Sequence, residues 1–280
     1  MKSKLLLIPA FILTACSGET SREVTATINE VNAAMNDAAE VAEGAFHLSG
    51  AKSIGGEKSE SQIAIEKSMK DMEAASQTNR LIGYWVGAFG PNKINVSVAN
   101  INDKDVTGYS ICAGNYRPLT GNVLDNGDNT FTFELNEPGD DKYDGKFEFH
   151  IDLGTEELNG SWTPFEAEGN SPKEYTLGKK TFEYRTDVGE YPHASSRELT
   201  VEDVENLMES ELKMMRNEIY ARHGYCFKNK EYRHHFEEQE WYVPMGVDIR
   251  EQLTDIEAKN IDLIYEYETY YEEYYDDYGR

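Results

Sequence analysis

The chain is short of cysteine, of positive charge and of long apolar runs, and each shortage excludes something. Three cysteines in 280 residues (Cys16, Cys112 and Cys226) cannot build a disulfide scaffold. Lysine and arginine number 27 against 52 aspartates and glutamates, a formal charge of −25, which argues against an unmodified nucleic-acid backbone as partner. Solubility or a basic partner fits that balance better. The apolar run Leu5 to Leu13 is too short to span a bilayer. Also missing are a Gly-x-Ser-x-Gly elbow and any paired cysteine and histidine outside one short stretch, so a serine- or cysteine-hydrolase has no visible nucleophile.

What the N-terminus does have is a processing pattern. Lys2 and Lys4 precede the Leu5–Leu13 run, and residues 1–15 read as a signal peptide. Leu13-Thr14-Ala15-Cys16 resembles a lipobox. That resemblance implies diacylglycerol on the Cys16 sulfur, cleavage before it and N-acylation; the alternative is an ordinary secretory peptide. Two or three acyl chains would anchor the protein stably to a membrane, exported to the cell envelope and facing the periplasm or the surface. Loss of Lys2 and Lys4 takes the charge from −25 to −27. Cys112 and Cys226 then remain as two buried free thiols in different domains.

The period of the apolar residues divides the rest into an α+β, multi-domain chain. Residues 16–80 read as a helical or disordered spacer, with Val24, Ile28, Val31, Met35 and Val41 giving an amphipathic helix over 22–43. A Gly/Ser/Lys-rich break follows, then a second short helix around 61–76. Between 81 and 185 the period becomes two: Ile94, Val96 and Val98 alternate with Asn95, Ser97 and Ala99, and Phe147, Phe149 and Ile151 with Glu148 and His150. Eight half-buried strands are expected, at 81–89, 93–101, 105–113, 116–124, 130–136, 145–153, 158–164 and 174–184, in an antiparallel meander closed as a barrel or left strongly curled. Asn126-Gly127 signals a tight turn. Gly83-Tyr84-Trp85 and Gly160-Ser161-Trp162 are two Gly-x-Trp elements. The first resembles the lipocalin-type barrel pattern, though a tryptophan filling the core beside a glycine explains both. Residues 186–198 read as a linker, and 199–280 as a small all-α domain with an acidic, tyrosine-rich final helix opened by the capping box Thr254-Asp255-Ile256-Glu257.

The most distinctive stretch is Arg216-Asn217-Glu218-Ile219-Tyr220-Ala221-Arg222-His223-Gly224, followed by Trp241-Tyr242. Met208, Leu212, Met215 and Ile219 share one helix face, a buried stripe, with Arg216, Tyr220 and His223 along its edge. Glu218 and Arg222 face the other way as a surface pair worth a few tenths of a kcal/mol. Gly224 suits a left-handed cap. The stretch resembles the YARHG domain, a bacterial extracytoplasmic module, over roughly residues 199–268. That resemblance implies no established reaction.

Candidate chemistry is thin. His223, Cys226, His234 and His235 could be drawn as a metal set, but adjacent histidines on a helix diverge by about 100°. Glu218 points away from His223, so no acid–base pair forms there, and Arg216 and His223 are expected to bond to carbonyls and carboxylates of neighbouring helices. The acid-dense loop from Glu137 to Gly145 lacks EF-hand spacing and reads as a hairpin tip. Tyr267, Tyr270, Tyr271 and Tyr274 continue an apolar stripe, so the last helix should run past Tyr270, with Glu266, Glu268 and Glu272 projecting elsewhere. The expectation is a lipid-anchored envelope protein that binds or scaffolds an unidentified protein or envelope ligand. No catalytic residue, metal or cofactor is assigned. An envelope hydrolase with a site between the β and helical domains is the alternative.

Overall fold

A computed structural model of the protein describes residues 58–166 and 171–274. The signal peptide at 1–15, Cys16, the helix read over 22–43 and the chain beyond Tyr274 lie outside these residues.

The alternating segments form β1 Gly83–Phe89, β2 Asn92–Asn102, β3 Asp105–Cys112, β4 Asn115–Gly127, β5 Thr130–Asn136, β6 Gly145–Asp152, β7 Glu157–Pro164 and β8 Lys173–Lys180. Each strand pairs antiparallel with the next, and β8 returns to β1, so the meander closes into a barrel. Register places Trp85 opposite Val96, Phe133 opposite Phe149 and Leu158 opposite Leu177 on one face, the inside. All six are fully or almost fully buried, and Phe133 stacks on Phe149 at 4.9 Å. Both Gly-x-Trp tryptophans point inward. Trp85 Nε1 donates to the Leu81 carbonyl at 3.2 Å, and Trp162 Nε1 to Glu137 Oε2 at 3.0 Å. Large apolar side chains therefore fill the barrel, each contributing about 1.5–3 kcal/mol by burial.

Two local readings change. The β4–β5 turn falls on Asp128-Asn129, at φ +52° and +64°, while Gly127 is already paired with Thr130. Two consecutive positive-φ residues fit the right-handed twist of the strands, and Asn126-Gly127 supplies the register shift just before the turn. The second change concerns β2, which is not half-buried: every residue from Ile94 to Ala99 is buried. Its outer face carries Asn95 and Ser97, and they are covered.

The cover comes from both ends of the sequence. Helix α1, Glu60–Ala75, starts on Ser59, whose hydroxyl accepts from the Gln62 amide at 3.2 Å, and lays Ile65, Met69 and Met72 on the barrel. It thus packs on the barrel, although the sequence places it within the spacer. From the C-terminal side, Val243 and Met245 pack on Val86. Asn95 Nδ2 donates to the Pro244 carbonyl at 2.9 Å, and its oxygen accepts from Ser97 Oγ at 3.0 Å. Gln62 Oε1 ties the layers together by accepting from the Val247 and Asp248 amides at 3.0 and 3.1 Å.

The helical region comprises α2 His193–Ser196, α3 Val201–Val204, α4 Glu209–Arg222, α5 Lys230–Glu237, a 3-10 turn at Arg250–Gln252 and α6 Asp255–Tyr274. Leu212, Met215 and Ile219 of α4 meet Ile261 and Ile264 of α6 in one core. The capping box at Thr254 forms, with its amide on Glu257 Oε2 at 2.9 Å and the Glu257 amide on Thr254 Oγ1 at 3.2 Å. Helix α6 does run past Tyr270. Its buried stripe is rotated from the expected one, however: Tyr270 is exposed and Glu268 is buried. Met208 is likewise exposed, because it is the N-cap of α4 and lies outside the stripe.

Replacing Asn95 with alanine would strand the Pro244 carbonyl and the Ser97 hydroxyl in a sealed seam, at a cost of about 1–3 kcal/mol. The expected outcome is a lower melting temperature for the full chain. An unchanged melt would mean that the outer face of β2 is open to water.

Candidate functional site

Helix α4 carries the distinctive stretch, and its end is fixed by Gly224. At φ +74° the residue turns the chain left-handed, and the Tyr225 amide returns to the Tyr220 carbonyl at 3.1 Å. A Cβ at Gly224 would meet Met245 Cβ at 2.7 Å and the Val243 oxygen at 2.8 Å, so space as well as φ demands glycine. Beyond the cap, Cys226 and Met245 bond across to Gly246 and Gly224, joining the stretch to the segment after Trp241-Tyr242.

Each side of the helix end meets a different neighbour. Toward α6, Arg216 places Nε and Nη2 on the two oxygens of Glu268, at 2.9 and 3.2 Å, and stacks over Tyr265 at 4.5 Å. Tyr220 completes that wall, 6.2 Å edge-on from Tyr225. Ala221 packs into a cluster of Phe227, Phe236 and Tyr242, and Tyr242 Oη donates to the Tyr225 carbonyl at 2.8 Å. Trp241 sits half-buried at the edge of that cluster. Asn217 spends its amide on the Lys213 carbonyl, at 2.8 Å.

Glu218 and Arg222 overturn their reading as a surface pair: they are 1% and 2% exposed. The side expected to face water is covered by residues 188–195, part of the stretch 186–198 read as a linker. The two side chains bond to each other. Glu218 also accepts from the Glu190 and Tyr191 amides, both at 2.7 Å, and Arg222 donates to the Val188 carbonyl at 2.9 and 3.1 Å and to Ser195 Oγ at 3.0 Å. Gly189, at φ +88°, lets the strap approach, since a Cβ there would overlap the Glu218 carboxyl.

His223 looks toward Glu257, as expected of a structural histidine, with Nε2 at 2.8 Å from Oε2. Tyr184 stacks on its ring at 4.5 Å and donates to Glu257 Oε1 at 3.0 Å. The amide and hydroxyl of Thr254 also bond to Glu257, and the Ser195 hydroxyl nearby favours its charged form. Burial opposes the charge on Glu257, but the bonds from His223 and the other donors outweigh it and hold the carboxyl below its ordinary range. Burial and then Glu257 push the Tyr184 hydroxyl up to about 12. Serine, histidine and carboxylate are all present, yet they are not in relay. Ser195 is engaged by Arg222, the His223 Nε2 is taken by Glu257, and all three side chains are buried. The arrangement can hold helices together; it has no exposed nucleophile with a base beside it.

The other candidates separate. Cys226 Sγ accepts from the Gly114 amide at 3.0 Å, at the junction with the barrel, while His234 is exposed on α5. Both Cys112 and Cys226 are free, and burial pushes each thiol up to about 12. Among the described residues, no three His, Cys, Asp or Glu side chains are placed to hold a metal ion. In the loop from Glu137 to Gly145 the buried carboxylates turn inward. Asp144 Oδ2 takes the amides of Gly139, Asp140 and Asp141 at 2.9–3.3 Å, with Arg117 on its other oxygen at 3.0 Å. Glu268, Glu257, Tyr184 and Ser195 were not assigned from sequence; only the capping-box position of Glu257 hinted at any of them.

Two outcomes test this account. Glu218→Ala should cost about 3–5 kcal/mol, because it leaves the Arg222 charge buried without its partner. Thermal melting of the full chain reads this, and a loss under 1 kcal/mol would put the pair back in solvent. Glu257 is held low, so its stabilising contribution is full above the unfolded carboxylate value and is lost as pH falls through the folded value. Glu257→Gln should therefore flatten the acid limb of the melting curve against pH; an unaltered limb would exclude Glu257 as its source.

No match is found among curated proteins or among solved structures. Residues 187–269 match the family model of the YARHG domain, which begins with the strap that covers Glu218 and Arg222, twelve residues before the sequence-based start at 199. A YARHG domain therefore occupies residues 187–269 of this chain.

Proposed function

We propose that the protein is a lipid-anchored component of the cell envelope that binds or scaffolds another envelope molecule, with no reaction of its own. Cys16, behind its lipobox-like sequence, is the anchoring residue. The YARHG domain supports binding over catalysis because the polar side chains of its motif, Arg216, Glu218, Arg222 and His223, are bonded internally. Its seam with the barrel is closed by Val86, Val243 and Met245, which leaves an interdomain hydrolase little to work with.

The observation that carries this reading is a concave groove of about 1080 Å³ on the outer side of β5 to β8, the part of the barrel that α1 does not cover. Register brings Glu134, Glu148, Ser161 and Glu174 into one row across four strands, and Thr132, His150, Asn159 and Thr176 into the next. These side chains could grip a partner with amine or hydroxyl groups while the barrel stays rigid behind them.

Photo-crosslinking residues placed at 132, 150 and 176 in living cells should give adducts that a control at Lys67, exposed on α1, does not. Equal labelling at all four positions, or none at any, would remove the groove as the binding face. Cys16→Ser should release the protein from the membrane fraction; retention after a carbonate wash would end the lipoprotein reading.

A further inference from the structure

The barrel and the YARHG domain also meet along α5, where a carboxyl group is poorly provided for. Glu237 is the last residue of α5. Both of its carboxyl oxygens are buried, and neither closes a hydrogen bond. Arg233 Nε, one turn earlier on the same helix, and Asn92 Oδ1, at the start of β2, are buried and unbonded as well. Four of the six such atoms among the described residues belong to these three side chains, which are concentrated on α5 and the start of β2.

The nearby cations are committed elsewhere. Lys93 of β2 donates from Nζ to the carbonyls of Gln239 and Tyr242, at 2.9 and 3.2 Å. Arg233 donates from Nη1 to the Lys228 carbonyl at 2.9 Å. The Cys112 thiol of β3, the Cys226 thiol and the Tyr242 hydroxyl also feel Glu237, and none of them carries positive charge. Lys180 acts on the seam only through its repulsion of Lys93. A carboxylate here also sits at the negative end of the α5 dipole.

We propose that Glu237 is a pH-sensitive latch: its neutral carboxyl lets α5 lie against the barrel, and its ionised form loosens that contact. Burial favours the neutral acid and pushes Glu237 up to about 7, with the Lys93 backbone, Arg233 and the Lys93 charge opposing only in part. The folded value lies above the unfolded one. The closed seam is therefore unpenalised below the unfolded carboxylate value, weakens as pH rises toward the folded value and is weakest above it. The effect has the opposite sign to that of Glu257, and it is local to the seam.

Hydrogen exchange of the full-length chain, corrected for intrinsic rates, reads the seam directly. Between about pH 5.5 and pH 8.5, opening of residues 230–243 should rise roughly ten- to thirtyfold. Glu237→Gln keeps the shape without the titration and should make opening independent of pH. Lys93→Met removes one of the two cations that lower Glu237 and should move the midpoint to higher pH, a readout that survives if the glutamine variant does not fold. A flat profile in the unaltered protein, an unchanged slope in Glu237→Gln, or an unmoved midpoint in Lys93→Met would each overturn the latch.

Discussion

The YARHG domain depends on one ion pair being taken out of water. Removing a carboxylate and a guanidinium from solvent costs several kcal/mol for each, and their mutual attraction offsets this only if the remaining lone pairs and N–H groups also find partners. Glu218 and Arg222 find them in the main chain of residues 188–191 and in Ser195. The strap must therefore pass close over α4, and Gly189 is the residue that permits the approach. Once the strap is down, Tyr184 is delivered to the ring of His223 and to Glu257. Glu257 in turn caps α6, so the strap, α4 and α6 are joined through one connected set of buried polar contacts.

The barrel obeys a related constraint on its outer side. A strand covered on both faces must have every outward polar group paired, and Asn95 and Ser97 meet that condition through Pro244 and each other. The contact is specific because an amide needs a carbonyl at a fixed distance, whereas the neighbouring Val86, Val243 and Met245 would tolerate some sliding. Helix α1 completes the seal with Ile65 and Met72 and fastens to the Val247–Asp248 backbone through Gln62. Segments far apart in sequence thus share one seam.

The strands were legible because alternation is a local signal: period two survives whatever lies on the outer face. The eight strands, the Thr254 capping box and the Gly224 cap were all readable for that reason. What covers a face is a tertiary fact. Alternating Asn95 and Ser97 look like solvent residues until α1 and Pro244 are placed over them. A helical wheel assumes one buried side and so places the pair opposite the apolar stripe in water, whereas α4 is covered on several sides. Glu268 was hidden in another way, as one acid in an acid-rich tail that nothing local marks as the partner of Arg216. Asn126-Gly127 named the right hairpin, yet the turn itself formed on the next two residues because Gly127 was used for the register shift.

The buried acids Glu137, Asp144, Glu218, Glu257 and Glu268 all accept from N–H, hydroxyl or guanidinium groups, so their negative charge is matched where it lies. Burial still raises Glu137 despite its bonds to Trp162 and Gly145, which shows how narrowly such matching can succeed. The other acids among the residues whose side chains are described are half-buried or exposed, where water and salt screen them over a Debye length of about 8–10 Å. Glu237 belongs to neither group, having left water without closing a hydrogen bond, and burial outweighs the cations near it.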